Sequence, residues 1–351
     1  MKKPVKIAAL YVAGLALLYV PLPKGLFSTI IYGALMIPLA IRMGELTSDI
    51  SVYIGEKKSG LLAAAIGNIP ELAMGVWSIY YGMISMVKSA LIGSIISNIL
   101  LVLGISIFSG GIIYNEQKFN KIVARTNFTM LILAMASMII VAALNISSSV
   151  LTEKALIDLS MEISAVLMVI YILGLIFSLY THRNLFLLST FENESKSNKS
   201  QTLKIFIEIT AAAVLLYFIS GKLIGSLKVA AEQYSLSQEF LGIMLIPLLG
   251  NIGENFSAIL CAVKNKVNLS LEIAIGSSIQ ISLFVTPLLI IISFIMGMGM
   301  TYLFSGFQIV ICVIAVLMSL LVFQDGKTYW FEGAVLIAVY MVIILAYYYM
   351  V

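Results

Sequence analysis

Apolar residues run through this chain in stretches of helical-span length, separated by short segments where Lys, Arg, Asn, Ser and Gly collect. About 20 apolar residues in a helix cover the hydrocarbon core of a bilayer. Such stretches lie near 5–21, 25–43, 60–81, 85–109, 127–144, 163–180, 203–222, 239–263, 268–295, 302–323 and 331–350. The pattern predicts an all-α integral membrane protein with eleven transmembrane helices. The longest polar stretch, roughly Thr181 to Lys204, is rich in Ser, Asn and Lys. It is a linker, too short to build a core of its own.

Two of the apolar stretches repeat one pattern. Gly67-Asn68-Ile69-Pro70-Glu71 is followed by Gly93-Ser94-Ile95-Ile96-Ser97-Asn98, and Gly250-Asn251-Ile252-Gly253-Glu254 by Gly276-Ser277-Ser278-Ile279-Gln280, all at an offset of 183. With the first span set aside, five spans precede the linker and five follow it. An odd number of crossings turns the second copy upside down relative to the first, so two inverted five-helix repeats are expected with a shared site between them. The expected organisation is an extra N-terminal helix in 1–24, a first repeat in 25–181, a cytoplasmic linker in 182–202 and a second repeat in 203–351.

Composition fits lipid as the solvent for most of the chain. The sequence is 61% hydrophobic and 11% charged, with a mean hydropathy of +1.07, far from the charge a soluble surface carries. The net charge of +4 does not indicate nucleic acid, because the basic residues sit in short loops. Sixteen of the 21 Lys and Arg fall on one side of the expected topology, which places the N terminus in the cytoplasm and the C terminus outside. Met1 to Val20 lacks a small-residue cleavage site and ends at Pro21-Leu22-Pro23, so it is expected to stay as a first helix. Cys261 and Cys312 both lie in apolar runs and are expected to be buried thiols.

The duplicated motif carries the chemistry. A carboxyl inside a span is costly and by default marks an ion path. Gly67 and Gly250 weaken the helix, and Pro70 removes a backbone donor, so carbonyl oxygens are freed where they can face a cation. Asn68 with Glu71, and Asn251 with Glu254, are three apart and share a helix face. Ser94, Ser97 and Asn98, and Ser277 and Gln280, add oxygens in the partner spans. Two carboxylates, amides, hydroxyls and carbonyls, without His or Cys, suit Ca²⁺, which takes about 6–8 oxygen ligands. When the ion leaves, two bare carboxylates must take protons or another cation, and that trade makes an antiporter with no cofactor beyond the transported Ca²⁺ and H⁺.

These motifs, with flanking sequence such as Val263-Lys264-Asn265-Lys266, resemble the α-repeats of the calcium/proton exchangers, a branch of the calcium/cation antiporter superfamily. The resemblance covers essentially the whole chain. It implies Glu71 and Glu254 as shared calcium and proton sites, ligand or pathway roles for Asn68, Asn251, Ser94, Asn98, Ser277 and Gln280, and a homotrimer. The sodium/calcium branch shows Thr or Ser near Asn68 and Asn251 and an Asp near Gln280, and this chain departs from it. The linker has only Glu192 and Glu194, so the regulatory acidic helix of eukaryotic relatives is not expected. The rival readings are sodium/calcium exchange, a passive channel and an intramembrane hydrolase; the last lacks any Ser/His, Cys/His or HExxH arrangement. Short tails and a minimal linker point to a cell membrane.

Other residues have plainer readings. Pro38 and Pro287 read as helix kinks, and Ser94, Ser97 and Ser277 also suit close helix packing. Lys88 and Glu272 are near span ends and can snorkel; Glu208 and Glu332 read as interface carboxyls. His182, the only histidine, falls in a loop.

Overall fold

The computed structural model describes residues 3–54, 66–147, 152–182 and 199–350. Most of the 182–202 linker, Lys57 and Lys58, and the start of the third expected span lie outside the described residues. Helices form within each of the eleven apolar stretches. They are α1 (Lys3–Tyr19), α2 (Leu26–Ile54) and α3 (Ile69–Tyr80), α4 (Ile84–Ile113), α5 (Lys121–Ser147) and α6 (Glu153–Thr181). After the linker come α7 (Lys199–Gln233), α8 (Gln238–Gly250) and α9 (Ile252–Val263), α10 (Val267–Ile295), α11 (Gly306–Val322) and α12 (Trp330–Tyr349). Among the described residues, seven helices are long and apolar enough to cross a membrane, and α8 with α9, bent by 65°, makes an eighth.

Two apolar cores divide the molecule. One joins α4, α5, α10, α11 and α12 through residues such as Ile99, Phe128, Ile279 and Cys312. The other lies where α2 and α7 face each other, around Met36, Leu39, Leu216 and Ile219, and reaches α3, α4 and α8 through Met74, Met86 and Ile246. The α2–α7 pair is also tied by charge. Arg42, buried on α2, donates from Nε and Nη2 to Glu208 Oε1 at 2.9 and 2.7 Å, and from Nη1 to Glu45 at 2.7 Å. Glu208 is thus an ion-pair partner rather than a free interface carboxyl.

Helix irregularities follow from proline and glycine. Pro38 lies inside α2, and Pro247 inside α8 denies the Ile243 carbonyl its helical donor. That carbonyl faces Gly93, where a Cβ would lie only 2.5 Å from it; α4 and α8 approach this closely because Gly93 has none. Helix α10 contains a π-turn over Ile281–Val285, just before Pro287, and the Thr286 hydroxyl donates to the Ile281 carbonyl at 2.8 Å.

The loops are anchored. Gln117–Lys118 pairs antiparallel with Lys327–Thr328, and Lys327 Nζ reaches Glu116 at 2.9 Å. That hydrogen bond holds the Glu116 carboxyl below the usual carboxylate range. The Lys88 ammonium donates to the Leu303 carbonyl at 2.7 Å, in the segment before α11 that also carries the buried Met300, Tyr302 and Phe304.

Candidate functional site

The two motifs adopt matching backbone at matching positions. Helices α3 and α9 begin at Ile69 and Ile252 and end at Tyr80 and Val263, an offset of 183 at both ends. Asn68 and Asn251 cap them with φ, ψ of −93°, 9° and −96°, 7°. Neither amide caps its own helix, so both side chains are released for other contacts. Glu71 and Glu254 fall in the first turns, where backbone N–H groups and the helix dipole favour an anion. The partner spans match as well. Helix α4 is π-helical over Ser97–Val102 and α10 over Ile281–Val285, ending at offset mates.

The motifs meet. At Gly250 an added Cβ would lie 2.8 Å from Glu71 Oε1 and 2.9 Å from its Cδ, so the glycine of the second copy lies flat against the carboxyl of the first. Asn68 Nδ2 donates to Gln280 Oε1, joining the first motif to the second partner span. The Ser277 hydroxyl sits 3.5 Å from Asn251 Oδ1 and within hydrogen-bond reach of Glu254. Glu71 and Glu254 are within electrostatic range of each other. Helices α4 and α10 cross where Ser278 Oγ approaches the Ile95 carbonyl at 3.5 Å; these two residues are themselves 183 apart.

Burial distinguishes the two carboxyls. Glu71 is 5% exposed, and neither of its oxygens has a side-chain or backbone donor among the described residues. Glu254 is partly open. An unpaired carboxylate so deep requires a cation or a proton. Asn68, Asn251, Ser94 and Ser277 are buried around the pair, and Ser94 lines the small space beside Glu71. Gly67 lies in the turn before Asn68.

Asn98 is less directly engaged. It sits in the π-turn of α4, 1% exposed, and its amide has no hydrogen-bond partner among the described residues. The offset mate of Gln280 is Ser97, which is fully buried. Ser97, already a candidate beside Asn98, thus holds the position equivalent to Gln280. Among the described residues no group of three or more His, Cys, Asp or Glu could hold a metal, so any cation here relies on two carboxylates and neutral oxygens.

Residues 24–180 and 204–349 match the sodium/calcium exchanger protein family. A Ca(2+)/H(+) antiporter of Aphanothece halophytica is 37% identical over 327 residues, covering 90% of this chain and 88% of that protein. The Ca(2+)/H(+) antiporter ChaA of Bacillus subtilis strain 168 is 34% identical over 324 residues, 91% of each. Among solved structures, native YfkE matches with a TM-score of 0.79 at 32% identity over 96% of both chains. The H+/Ca2+ exchanger CAX shares the fold, with a TM-score of 0.71 at 16% identity over 97% of this chain and 87% of that one.

Proposed function

The chain belongs to the sodium/calcium exchanger protein family, and from that premise we propose that it is a calcium/proton antiporter whose two motif carboxylates alternately hold Ca²⁺ and protons. The observation that carries this reading is the packing of Gly250 on the Glu71 carboxyl, because it brings the second motif onto the first. Around that junction Glu71, Glu254, Asn68, Asn251, Ser94 and Ser277 offer oxygens of the kind a hard cation takes, with carbonyls of Gly67 and Gly250 beside them. Gln280 orients Asn68, and Ser97 and Asn98 line the adjoining part of α4. Two carboxylates balance a divalent charge, and protons replace it when the ion departs.

We place these groups on an inverted-repeat scaffold of eleven spans, with the N-terminal helix outside the repeats and domain limits near 24, 181 and 202. The matched helix bounds, the paired π-turns and the approach of Ile95 to Ser278 support a pseudo-two-fold axis between α4 and α10. The basic loops support a cytoplasmic N terminus. On this orientation α3 runs from the site toward the outside and α9 toward the cytoplasm. The setting is the cell membrane, with lipid around the apolar faces and three copies assembled as the resemblance implies; the mass of the purified complex in detergent checks the trimer.

Isotopic calcium uptake into vesicles tests the function. Protons leaving acid-loaded vesicles should drive calcium in without sodium. Uptake driven by sodium and insensitive to pH would move the chain to sodium/calcium exchange. Flux without saturable counterflow would make it a channel.

A further inference from the structure

The offset of 183 allows the two halves of the ion path to be compared residue by residue. On the outer side of Glu71, Leu289 covers Gly75, where a Cβ would meet its Cδ1 at 2.6 Å. Val87, Leu91, Ile246 and Ile281 complete the wall. The space left there is about 10 Å³, at the lower limit for one water. The mates on the inner side differ in kind. Leu289 corresponds to Ser106, Val87 to Ser270, Leu91 to Ala274 and Ile281 to Asn98; Ala90, matched by Ile273, runs the other way.

The inner mates are also unsatisfied. Asn98, Ser106 and Ser270 are at most 1% exposed, and their side-chain polar atoms have no hydrogen-bond partner among the described residues. Buried polar groups are normally paired, and where protein supplies no partner, bound water does. Ser106 and Ser270 lie on the stretches of α4 and α10 that pack against α9, the helix that opens with the partly accessible Glu254. The outer wall, in contrast, presents methyl groups that bind no water.

We propose that the half-paths are unequal by construction: Leu289 over Gly75 forms a dry outer gate, while Asn98, Ser106 and Ser270 bind water in a wetted inner path to Glu254. The proposal rests on the antiporter reading and adds to it. Calcium reaches the site from the cytoplasm, and protons leave for the cytoplasm, through bound water, whereas the outer side opens only when α10 withdraws Leu289 from α3. The gate then prevents a leak during each cycle.

Exchanging the mates tests this in proteoliposomes of the full chain. Leu289→Ser should let calcium run down its gradient without a pH gradient, at a rate about tenfold or more above wild type, while Leu289→Met, which keeps apolar bulk, should not leak. Ser106→Leu should lower exchange turnover about tenfold with the apparent KM for calcium unchanged, since no ion ligand is altered. If Leu289→Ser fails to assemble, Leu289→Ala reads the same leak. A tight Leu289→Ser or Leu289→Ala variant, or a Ser106→Leu variant with wild-type turnover, overturns the proposal. Wild-type vesicles without proton-driven uptake would instead overturn the antiporter reading, so the two failures are distinguishable.

Discussion

Glu71 and Gly250 define the account at the scale of residues. An amide keeps the shape of Glu71 or Glu254 but neither balances a divalent ion nor takes up a proton. Glu71→Gln and Glu254→Gln are therefore each expected to lower calcium exchange at least about 100-fold, with normal membrane insertion and thermal stability. Near wild-type flux in either folded variant would remove that carboxyl from the site. Gly250→Ala places a methyl against the Glu71 carboxyl and should cut exchange about tenfold or more by displacing it. Asn68→Ala removes one amide and its link to Gln280, and a loss near tenfold in calcium affinity is expected; titration of calcium binding measures it. These residues were legible because the duplication isolates four polar positions in apolar surroundings. Leu289 was not, since a leucine in a membrane helix looks like packing. Only the register that matches Leu289 with Ser106 gives it meaning.

At the scale of elements, the break between α8 and α9 and the close contact of α8 with α4 hold the motif in place. Gly93 permits that contact, and Gly93→Ala would set a methyl 2.5 Å from the Ile243 carbonyl. A loss of about 1–3 kcal/mol is expected, visible as a lower melting temperature in detergent together with loss of exchange; unchanged melting would show that α4 and α8 have room to separate. The glycine was visible in the sequence as part of a motif, but its partner is 150 residues away and could not be read from local pattern. The same distance hid the Arg42–Glu208 pair, in which each residue alone reads as an interfacial charge. Apolar runs located the helices well because bilayer thickness sets their length. Their ends were less legible: α2 and α7 run beyond the apolar stretch to Ile54 and Gln233, where Leu46, Ile50, Leu227 and Ala231 are buried in the second core.

At the scale of the whole molecule, exchange requires that the site face one side at a time. The α2–α7 pair shares its apolar core with α3, α4 and α8 and is tied by the Arg42–Glu208 ion pair. Lowering pH on the calcium-loaded side should displace bound calcium, because protonation removes both the charge and the ligands; calcium binding that is indifferent to pH would argue against shared proton and calcium sites. The most direct test records both ions at once. Purified protein in sodium-free liposomes, with a calcium dye and a pH dye inside, should show proton exit only as calcium enters, and both signals should vanish together in Glu71→Gln and Glu254→Gln. Calcium entry without matching proton exit, or coupled exchange that survives either substitution, would contradict the account.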